Sequence, residues 1–363
     1  MNKKRRILFL SPYPHGIGPS QRFRFEQYLD FISDEYLYTQ KTFWDKKAWE
    51  ILFSDNNFLI KIYYLIIAFS KRLAMLLTLY KYDLVFIHRE VAQIGPPIFE
   101  WLIKFIFRKK IIYDFDDAIW HLNYSDKNKI VRFFKSPWKV KYICKWSDAT
   151  IVGNNFLADF AKKHSKNTYV IPTTINTNYH KPRNNRNNKT PLTIGWTGTL
   201  TTLKHIDLLI STLKKIESSF NTHFLVISNE KPTLDIKNLN FINWNKETEI
   251  QDLQKIDIGI MPLYDNEWEK GKCGFKGLQY MALEIPTIMS PIGVNTEIIE
   301  DEENGFLANS DNEWFDKLSL LIKDQELRIK LGKAGRKAII KKYSVEANKQ
   351  TYLDIINSVL SQP

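Results

Sequence analysis

Cysteine and long hydrophobic runs are both scarce in this chain of 363 residues. The two cysteines, Cys144 and Cys273, are too few and too far apart for a disulfide framework or a zinc motif, so we expect a reducing compartment. The most hydrophobic stretch, residues 58–80, is interrupted by Lys61 and Lys71, whereas a membrane-spanning helix needs about 20 mostly apolar residues. The sequence therefore predicts a protein that does not cross a membrane.

An export signal and an internal repeat are also missing. Behind the basic start, the apolar run covers only Ile7–Leu10, which is too short for the core of a signal peptide. No segment recurs with a period of about 20–50 residues, so repeat architectures are excluded. Together with the low cysteine content, these absences predict a cytoplasmic protein.

Positive charge is in excess, and the excess is confined to the first half. The formal net charge is +12, from 52 Lys and Arg against 40 Asp and Glu. Residues 1–182 hold 29 of the basic and 16 of the acidic residues, a balance of +13, which leaves 23 and 24, a balance of −1, for residues 183–363. A histone-like protein would be basic throughout, so that class is disfavoured, and we expect an anionic partner for the first half.

Strand signals alternate with helical ones along the chain, which is typical of α/β domains with parallel sheets. The polar residues 183–190 interrupt this rhythm and predict a linker between domains at 1–182 and 191–340, with a helix over 341–363 that packs back on the first domain. The sequence thus predicts two Rossmann-like domains facing each other across a cleft. The expected strands are 7–11, 84–88, 110–113, 149–153 and 168–171, then 192–196, 223–227, 240–242, 256–261 and 287–290.

Two glycine-bearing loops join a predicted strand region to a predicted helix in the second half, where parallel sheets bind their ligands. The first contains Gly198 and leads to Lys204; it suits a phosphate, although a plain strand–helix turn also needs glycine. The second contains Lys272, Gly274 and Lys276. Two cations at a helix start oppose the helix dipole unless an anion offsets them, which favours a bound phosphate over a solvated lysine pair.

Three carboxylates follow a predicted strand of the first half. Asp114, Asp116 and Asp117 repel one another, so their clustering costs stability unless something uses them. They are compatible with binding a metal, accepting protons or holding sugar hydroxyl groups. A helix N-cap would account for one aspartate but not for all three.

Four ordered segments carry a resemblance to a known family. They are a glycine-to-lysine loop at 198–204, Leu-Gln-Tyr-Met-Ala with Ile-Pro-Thr-Ile at 278–288, a stretch with Glu-Ile-Ile and Asn-Gly-Phe-Leu at 293–307, and the strand end at 170–172. Together they resemble glycosyltransferase family four, the bacterial group-1-like enzymes with the GT-B fold, and the resemblance covers nearly the whole chain.

Several positions depart from the family's pattern. Thr199 replaces the arginine after the loop glycine, Gly271 and Gln279 fall on its paired glutamates, and Asp116 falls on the usual first-domain histidine. Lys276 can supply the missing positive charge, and Gln279 can still hydrogen-bond a ribose. The chain is therefore identified as a divergent branch.

The resemblance implies a retaining hexosyltransferase without metal or cofactor, which takes its sugar from a UDP- or GDP-type nucleotide-sugar substrate. Its acceptor would be a glycan or lipid-linked glycan in polysaccharide or O-antigen-type assembly. Stabilising the diphosphate leaving group would be the main catalytic task. The donor-binding residues that the resemblance implies are Gly16, Gly18, Gly198, Thr199, Lys204, Asn243, Trp244, Lys272, Gly274, Phe275, Lys276 and Gln279.

The first domain would receive the acceptor. Asp116 and Asp117 are then expected to hold hydroxyl groups, with proton abstraction by Asp116 as a second interpretation. His88, which follows another predicted strand, would border the acceptor, although a structural role fits it equally well.

An aromatic stripe adds a possible partner for the basic half. Phe134, Trp138, Tyr142 and Trp146 recur every four residues among lysines, as in helices that bind anionic membranes. Each basic residue near such a surface adds about 1 kcal/mol of attraction. We therefore expect a peripheral protein on the inner face of the cell membrane, while most of residues 58–80 are expected to pack in the core.

Three other functions remain open. The departures at Thr199 and Gly271 are compatible with a catalytically silent GT-B scaffold. A sugar-nucleotide epimerase can share the two-domain architecture but would need no acceptor. A nucleic-acid-binding protein would use the basic half, but the sequence has no helix-turn-helix, zinc or aromatic RNA-binding motif, so no nucleic acid partner is expected.

Overall fold

The chain forms two compact units, each an α/β domain built on one parallel sheet. The first comprises Met1–Thr173 with Lys349–Pro363 and the second Thr174–Asn348. The predicted linker falls almost entirely on residues 184–189, which lie outside the described residues. The predicted pair of Rossmann-like α/β units is confirmed. The computed structural model describes residues 4–52, 58–121, 135–183 and 190–362.

The sheet of the first unit has six parallel strands. They are β1 (Arg6–Ser11), β2 (Leu37–Thr42), β3 (Leu84–His88), β4 (Lys110–Phe115), β5 (Ala149–Val152) and β6 (Thr168–Val170). Their order across the sheet is β2-β1-β3-β4-β5-β6. Every residue of β3 is buried, as expected for a central parallel strand covered by helices on both faces.

The sheet of the second unit repeats this plan. Its strands are β7 (Leu192–Thr197), β8 (Thr222–Ser228), β9 (Leu239–Asn243), β10 (Ile258–Met261), β11 (Thr287–Met289) and β12 (Phe306–Leu307). Their order is β12-β11-β10-β7-β8-β9. The sequence analysis missed β2 and β12, which are edge strands; β2 is polar and β12 has two residues, so neither has an apolar run.

Helices connect the strands of both units. Those of the first unit are α1 (Pro19–Arg24), α2 (Leu29–Glu35), α3 (Lys46–Leu52), α4 (Phe58–Leu76), α5 (Ile98–Trp101), α6 (Lys139–Trp146) and α7 (Asn155–Lys162). Those that follow are α8 (Leu200–Leu203), α9 (Ile210–Ser219), α10 (Glu249–Leu253), α11 (Glu267–Lys270), α12 (Phe275–Ala282), α13 (Asn295–Ile298), α14 (Asp311–Lys323), α15 (Gln325–Ala338) and α16 (Val345–Ser361). Short 3₁₀ turns lie at Glu26–Tyr28, Leu79–Lys81 and Lys204–Leu209, and π-helical turns at Leu102–Ile106 and Ile339–Tyr343.

The first unit has a helical layer on each face of its sheet. The crossovers from β2 to β3, β3 to β4 and β4 to β5 all advance in one direction, so right-handed connections place α4, α5 and α6 on the same face. Helix α16 also packs in this unit. The ring of its Tyr352 stacks on the ring of Tyr28 with centroids 4.6 Å apart, and its centroid lies 6.0 Å from that of Phe86.

Helix α4 corrects an expectation about residues 58–80. Core packing holds for one face, on which Ala68, Arg72 and Met75 are buried, and is wrong for the opposite face, where apolar side chains are exposed. Hydrophobic content could not separate the two faces, because apolar residues occupy both. Among the described residues, no helix is long and apolar enough to span a membrane.

A close helix–loop approach in the second unit tests the packing. A Cβ atom added to Gly332 of α15 would lie 2.1 Å from the carbonyl oxygen of Glu284. On helix propensity alone Gly332→Ala would stabilise the protein by about 1 kcal/mol. We expect instead a destabilisation of about 1–3 kcal/mol, because the contact is with backbone and cannot relax cheaply. Urea denaturation measures the change. Lys333→Ala, an exposed neighbour on the same helix, should be nearly neutral, and a stabilised Gly332→Ala protein would contradict the packing.

Candidate active site

The carboxyl ends of three central strands of the first unit bring a polar cluster together. His88 ends β3, Asp114 lies near the end of the adjacent β4, and Asp116 follows β4, while Ser20 comes from α1 after the β1 loop. Since the carboxyl ends of parallel strands meet at one edge, residues far apart in sequence become neighbours here.

A buried ion pair lies at the base of this cluster. Arg24 Nη2 lies 2.5 Å from Asp114 Oδ1, and both side chains are fully buried. Arg24 also donates to the carbonyl oxygen of Ile171. Burial alone would raise the pKa of Asp114, but Arg24 and His88 overcome this effect and hold it below its usual value. The carboxylate is therefore a fixed negative charge inside the unit.

His88 connects the buried pair to the surface. Its Nδ1 lies 2.6 Å from Asp114 Oδ2, and its Nε2 lies 2.7 Å from Ser20 Oγ. Ser20 in turn donates to Asp116 Oδ1 at 2.7 Å. Ser20 Oγ therefore lies within hydrogen-bond distance of both His88 and Asp116. The predicted site residues His88 and Asp116 are thus brought together, with Ser20 between them.

Arg89 bridges the two outer carboxylates. It donates to Asp116 Oδ1 from Nε at 2.9 Å and from Nη2 at 2.7 Å, and it also contacts Asp117. Its backbone has a φ of +61°, which is uncommon outside glycine, and its N–H donates to the Asp114 carbonyl at 2.7 Å. Burial alone would lower the pKa of Arg89, but both aspartates raise it well above its ordinary value.

Two arginines therefore account for the acidic trio. Arg24 pairs with Asp114, and Arg89 bridges Asp116 and Asp117, so the repulsion expected from sequence is reduced in the folded unit. Burial would raise the pKa of Asp116, but Arg89, His88 and the Ser20 hydrogen bond lower it strongly. Among the described residues, no group of three or more His, Cys, Asp or Glu side chains is placed to hold a metal.

The predicted glycines of the first loop have roles within their own unit. Gly16 has a φ of +74°, and its N–H donates to Glu26 Oε2 at 2.9 Å. A Cβ at Gly18 would lie 2.4 Å from the ring of Tyr13. Both glycines are thus needed to fold the loop, and their contact with a donor stays a prediction.

In the second unit, the loop after β7 uses its backbone donors internally. The N–H of Gly198 donates to the Ile227 carbonyl at 3.0 Å, and the N–H of Leu200 donates to Asn229 Oδ1 at 2.9 Å. Thr199 forms a capping box with Thr202 at the start of α8. A phosphate at this loop would have to be held chiefly by side chains, such as the exposed Thr199 hydroxyl.

The second predicted loop leads into α12 with a cationic start. Gly274 is the N-cap, with a φ of +67°, a backbone conformation that favours glycine, and a Cβ there would lie 2.2 Å from Cδ1 of Ile298. The first turn, which begins at Phe275, contains no acidic residue. Lys272 Nζ lies 5.3 Å from the ring centroid of Trp268, and Lys276 Nζ lies 5.4 Å from that of the buried Trp196. This geometry orients two lysines around a helix N-terminus, which suits an anion.

A buried pair missed by the sequence analysis links Lys204 to this loop. His205 Nε2 lies 2.9 Å from Glu269 Oε1, and both side chains are almost completely buried. Burial alone would raise the pKa of Glu269, but His205, Lys272 and Lys204 lower it. Burial lowers the pKa of His205, as do Lys276 and Lys272, against the effect of Glu269. The three predicted lysines therefore act on one buried pair, Lys204 on Glu269, Lys276 on His205 and Lys272 on both. Glu269 lies two residues before Gly271, outside the motif, so the motif gave no signal for it.

The remaining predicted donor residues are Gln279, Asn243 and Trp244. Gln279 is 2% exposed, and its Nε2 lies 3.4 Å from Nε2 of the buried His180. Asn243 is exposed at the end of β9, two strands from β7. Trp244 donates from its indole N–H to Glu249 Oε1 at 3.3 Å. Burial means that Gln279 is not presented to a ribose here, so that role stays a prediction.

One segment of the second unit is similar to a described protein family. Residues 191–324 match the family model described as "Glycosyl transferases group 1". These residues contain all three lysines and both glycine-bearing loops. No curated protein sequence matches the chain.

Solved structures match the chain over nearly its whole length. They include sucrose-phosphate synthase from Thermosynechococcus elongatus, with 13% identity and a TM-score of 0.69 over 99% of this chain and 100% of the other. A glycosyltransferase from Rickettsia africae has 14% identity and a TM-score of 0.69, covering 100% of both chains. HepE from Anabaena, solved with UDP-glucose, has 15% identity and a TM-score of 0.69 over 97% of this chain and 99% of the other. At these identities the likeness shows the fold, which is that of GT-B glycosyltransferases.

The buried pair in the first unit should control stability as a function of pH. Arg24→Gln removes the guanidinium that pairs with the buried charge of Asp114, so we expect a loss of about 3–5 kcal/mol at neutral pH. In the wild type, the low pKa of Asp114 means that the pair stabilises fully above the unfolded pKa and loses its contribution as the pH falls through the folded value. In the variant, burial raises the pKa of Asp114. Acidification should therefore narrow the gap in the free energy of unfolding between the wild type and the variant.

Urea denaturation over a pH series measures this gap. Arg22→Gln on the same helix is the matched control, and it should show a small and pH-independent difference from the wild type. A gap for Arg24→Gln that stays constant or widens towards acid would show that Asp114 is not held as a charge by Arg24.

Proposed function

We propose that the protein transfers a hexose from a nucleotide-sugar to a glycan acceptor with retention of configuration. The observation that carries this proposal is the start of α12, where Lys272 and Lys276 flank a glycine-capped helix N-terminus within the segment that matches group 1 glycosyl transferases. Such a site favours an anion that carries two or more charges, as a nucleoside diphosphate does.

The same cations would promote bond cleavage. As the bond between sugar and diphosphate breaks, negative charge develops on the leaving group, and fixed positive groups stabilise that charge in the transition state. Trp196 and Trp268 orient the lysines before the ligand arrives, and the buried Glu269 keeps positive charge concentrated around it. Lys204, Lys272 and Lys276 are therefore assigned to the diphosphate, with Gly274 and Phe275 presenting backbone N–H groups to the donor sugar.

The donor is proposed to be of the UDP or GDP type. HepE, which shares the fold, has been solved with UDP-glucose, which makes UDP-glucose the first donor to test. Gly198 and Thr199 are proposed to border the diphosphate, Asn243 and Trp244 the base, and Gln279 the ribose, while Gly16 and Gly18 allow the first unit to approach the donor. No metal or cofactor is assigned a step.

The polar cluster of the first unit is proposed to bind the acceptor. Asp116 and Asp117 offer carboxylate oxygens to hydroxyl groups, while Arg89 and Ser20 hold Asp116 in place. Asp116 is a weak base because its pKa is strongly lowered. We therefore assign it to binding and leave the acceptor proton to a diphosphate oxygen. His88 is a positioning residue, since it is fully buried and acts on Asp116 through Ser20.

The acceptor class is proposed from charge. The balance of +13 in residues 1–182 supports an anionic partner on the acceptor side, and a lipid-linked glycan at an anionic membrane meets that requirement. The protein would then act peripherally on the inner face of the cell membrane, in polysaccharide or O-antigen-type assembly.

The lysines can be tested without knowing the acceptor. Lys272→Ala and Lys276→Ala should each weaken binding of UDP about tenfold, because each removes a charge-assisted contact with phosphate, and should leave uridine binding unchanged. Isothermal titration calorimetry measures both ligands, with GDP and guanosine as the second pair. Lys214→Ala, on an exposed lysine of α9 paired with Asp235, is the control and should change neither. Equal losses for UDP and uridine would contradict the assignment.

Asp116→Asn separates a binding role from a base role. We expect the KM for the acceptor to rise about tenfold, through loss of a hydrogen bond to a charged group. The dependence of kcat on pH should keep its shape, because Asp116 is already ionised across the working range. Steady-state kinetics over a pH series measures both. Disappearance of the acidic limb of the kcat profile in the variant would instead identify Asp116 as the base.

A further inference from the structure

Helix α4 exposes an apolar stripe along its outer face. Leu59, Tyr63, Ile66 and Leu73 of α4, with Leu77 directly after its end, follow one another at spacings of one or two helical turns, and these residues are between 57% and 77% exposed. The helix has 19 residues and is roughly 28 Å long. Exposed apolar side chains that follow one another along a helix of this length are unusual on a protein that stays in water and point to a contact partner.

A ladder of aromatic rings continues this surface on the neighbouring helices. The ring centroid of Trp101 in α5 lies 5.9 Å from that of Phe105, which in turn lies 5.8 Å from that of Trp146 in α6. The ring centroid of Tyr142 lies 5.7 Å from that of Trp146 and 5.6 Å from that of Trp138. The exposed ends of the ladder, Trp138 and Trp101, are 48% and 43% exposed. The predicted fourth member of this stripe, Phe134, lies outside the described residues.

The stripe and the ladder belong to one helical layer. The handedness of the connections places α4, α5 and α6 on the same face of the sheet, and the ring of Phe69 in α4 lies 6.1 Å from that of Phe99 in α5. Their outward-facing side chains therefore lie on one side of the first unit. We name this side the apolar layer.

Positive charge borders the apolar layer. Neither α4 nor α6 contains an acidic residue, and the one in α5, Glu100, is buried. Lys141 and Lys145 of α6 are exposed beside the ladder, and Lys141 Nζ lies 5.0 Å from the ring centroid of Tyr142. Exposed Lys81 follows α4. Exposed Trp and Tyr beside lysines and aliphatic side chains are typical of surfaces that lie in the interface of a bilayer.

We propose that the apolar layer is the surface by which the protein inserts into an anionic bilayer, with the α4 stripe among the acyl chains and the lysines at the headgroups. This inference deepens the membrane contact of the proposed function and rests on it. The main inserting element is then α4, and not the aromatic stripe around α6 that the sequence predicts as the membrane contact. A second copy of the chain is disfavoured as the occupant, because two such surfaces would bring like charges together.

Vesicle flotation tests the proposal. Full-length protein should float with vesicles of equal parts phosphatidylcholine and phosphatidylglycerol, and less with phosphatidylcholine alone. Ile66→Gln combined with Leu73→Gln and Leu77→Gln should reduce binding to the mixed vesicles at least about tenfold, because exposed apolar side chains no longer enter the bilayer. Leu320→Gln with Ile340→Gln, two residues of the second unit that are about half exposed, is the matched control and should bind as the wild type does.

A probe reports insertion directly. The native cysteines are buried, so Ile66→Cys can be labelled with an environment-sensitive fluorophore, which should shift to the blue on adding mixed vesicles. The same label at Leu320→Cys should not shift. Equal flotation of the α4 variant and the wild type, or an unchanged label at residue 66, would overturn the role of α4.

Two further outcomes separate this inference from the proposed function. Wild-type protein that does not float, but dimerises in a way that the α4 substitutions abolish, would assign the apolar layer to a second copy and overturn the proposal. The affinity for UDP, measured by calorimetry, should be unaffected by the α4 substitutions. Failure of the wild type to bind UDP or GDP would therefore count against sugar transfer, whatever the vesicles show.

Discussion

The ion pair between Arg24 and Asp114 is the interaction on which the first unit's polar cluster depends. An unpaired carboxylate at that depth would be neutral or would destabilise the fold, whereas the paired one is a lasting charge. That charge orients His88, which orients Ser20, which together with Arg89 fixes Asp116. The position of Asp116 thus depends on an arginine that is linked to it through Asp114, His88 and Ser20. The second unit has a comparable buried pair, in which Glu269 contacts His205 and Lys272 and Lys204 lower the pKa of Glu269.

Much of the architecture could be predicted from sequence, because central parallel strands are short apolar runs. All ten expected strands were found with small shifts at their ends, and only the edge strands β2 and β12 were missed. The glycine-bearing loops were found for a related reason. Their glycines occupy positions where a side chain would collide with Ile298 or Trp196, and such positions recur after strands.

The partners of the site residues could not be predicted in the same way. Arg24 and Asp114 are 90 positions apart, and nothing in the local pattern around either names the other. Gln279 has a side chain suited to ribose, but its burial against His180 depends on a segment almost a hundred residues away. The outward face of α4 was misassigned because hydrophobic content reports that a surface avoids water and does not report what covers it.

The division of the chain has a consequence for its biosynthesis. The second unit is a single continuous segment, whereas the first needs residues from both ends of the sequence, with Tyr352 of α16 stacked on Tyr28 in its interior. While the chain is being made, β1 to β6 leave the ribosome first but lack that cover until α16 has been translated. The second unit can fold as soon as residue 348 has emerged. The part of the protein that is synthesised first is therefore the part that is completed last.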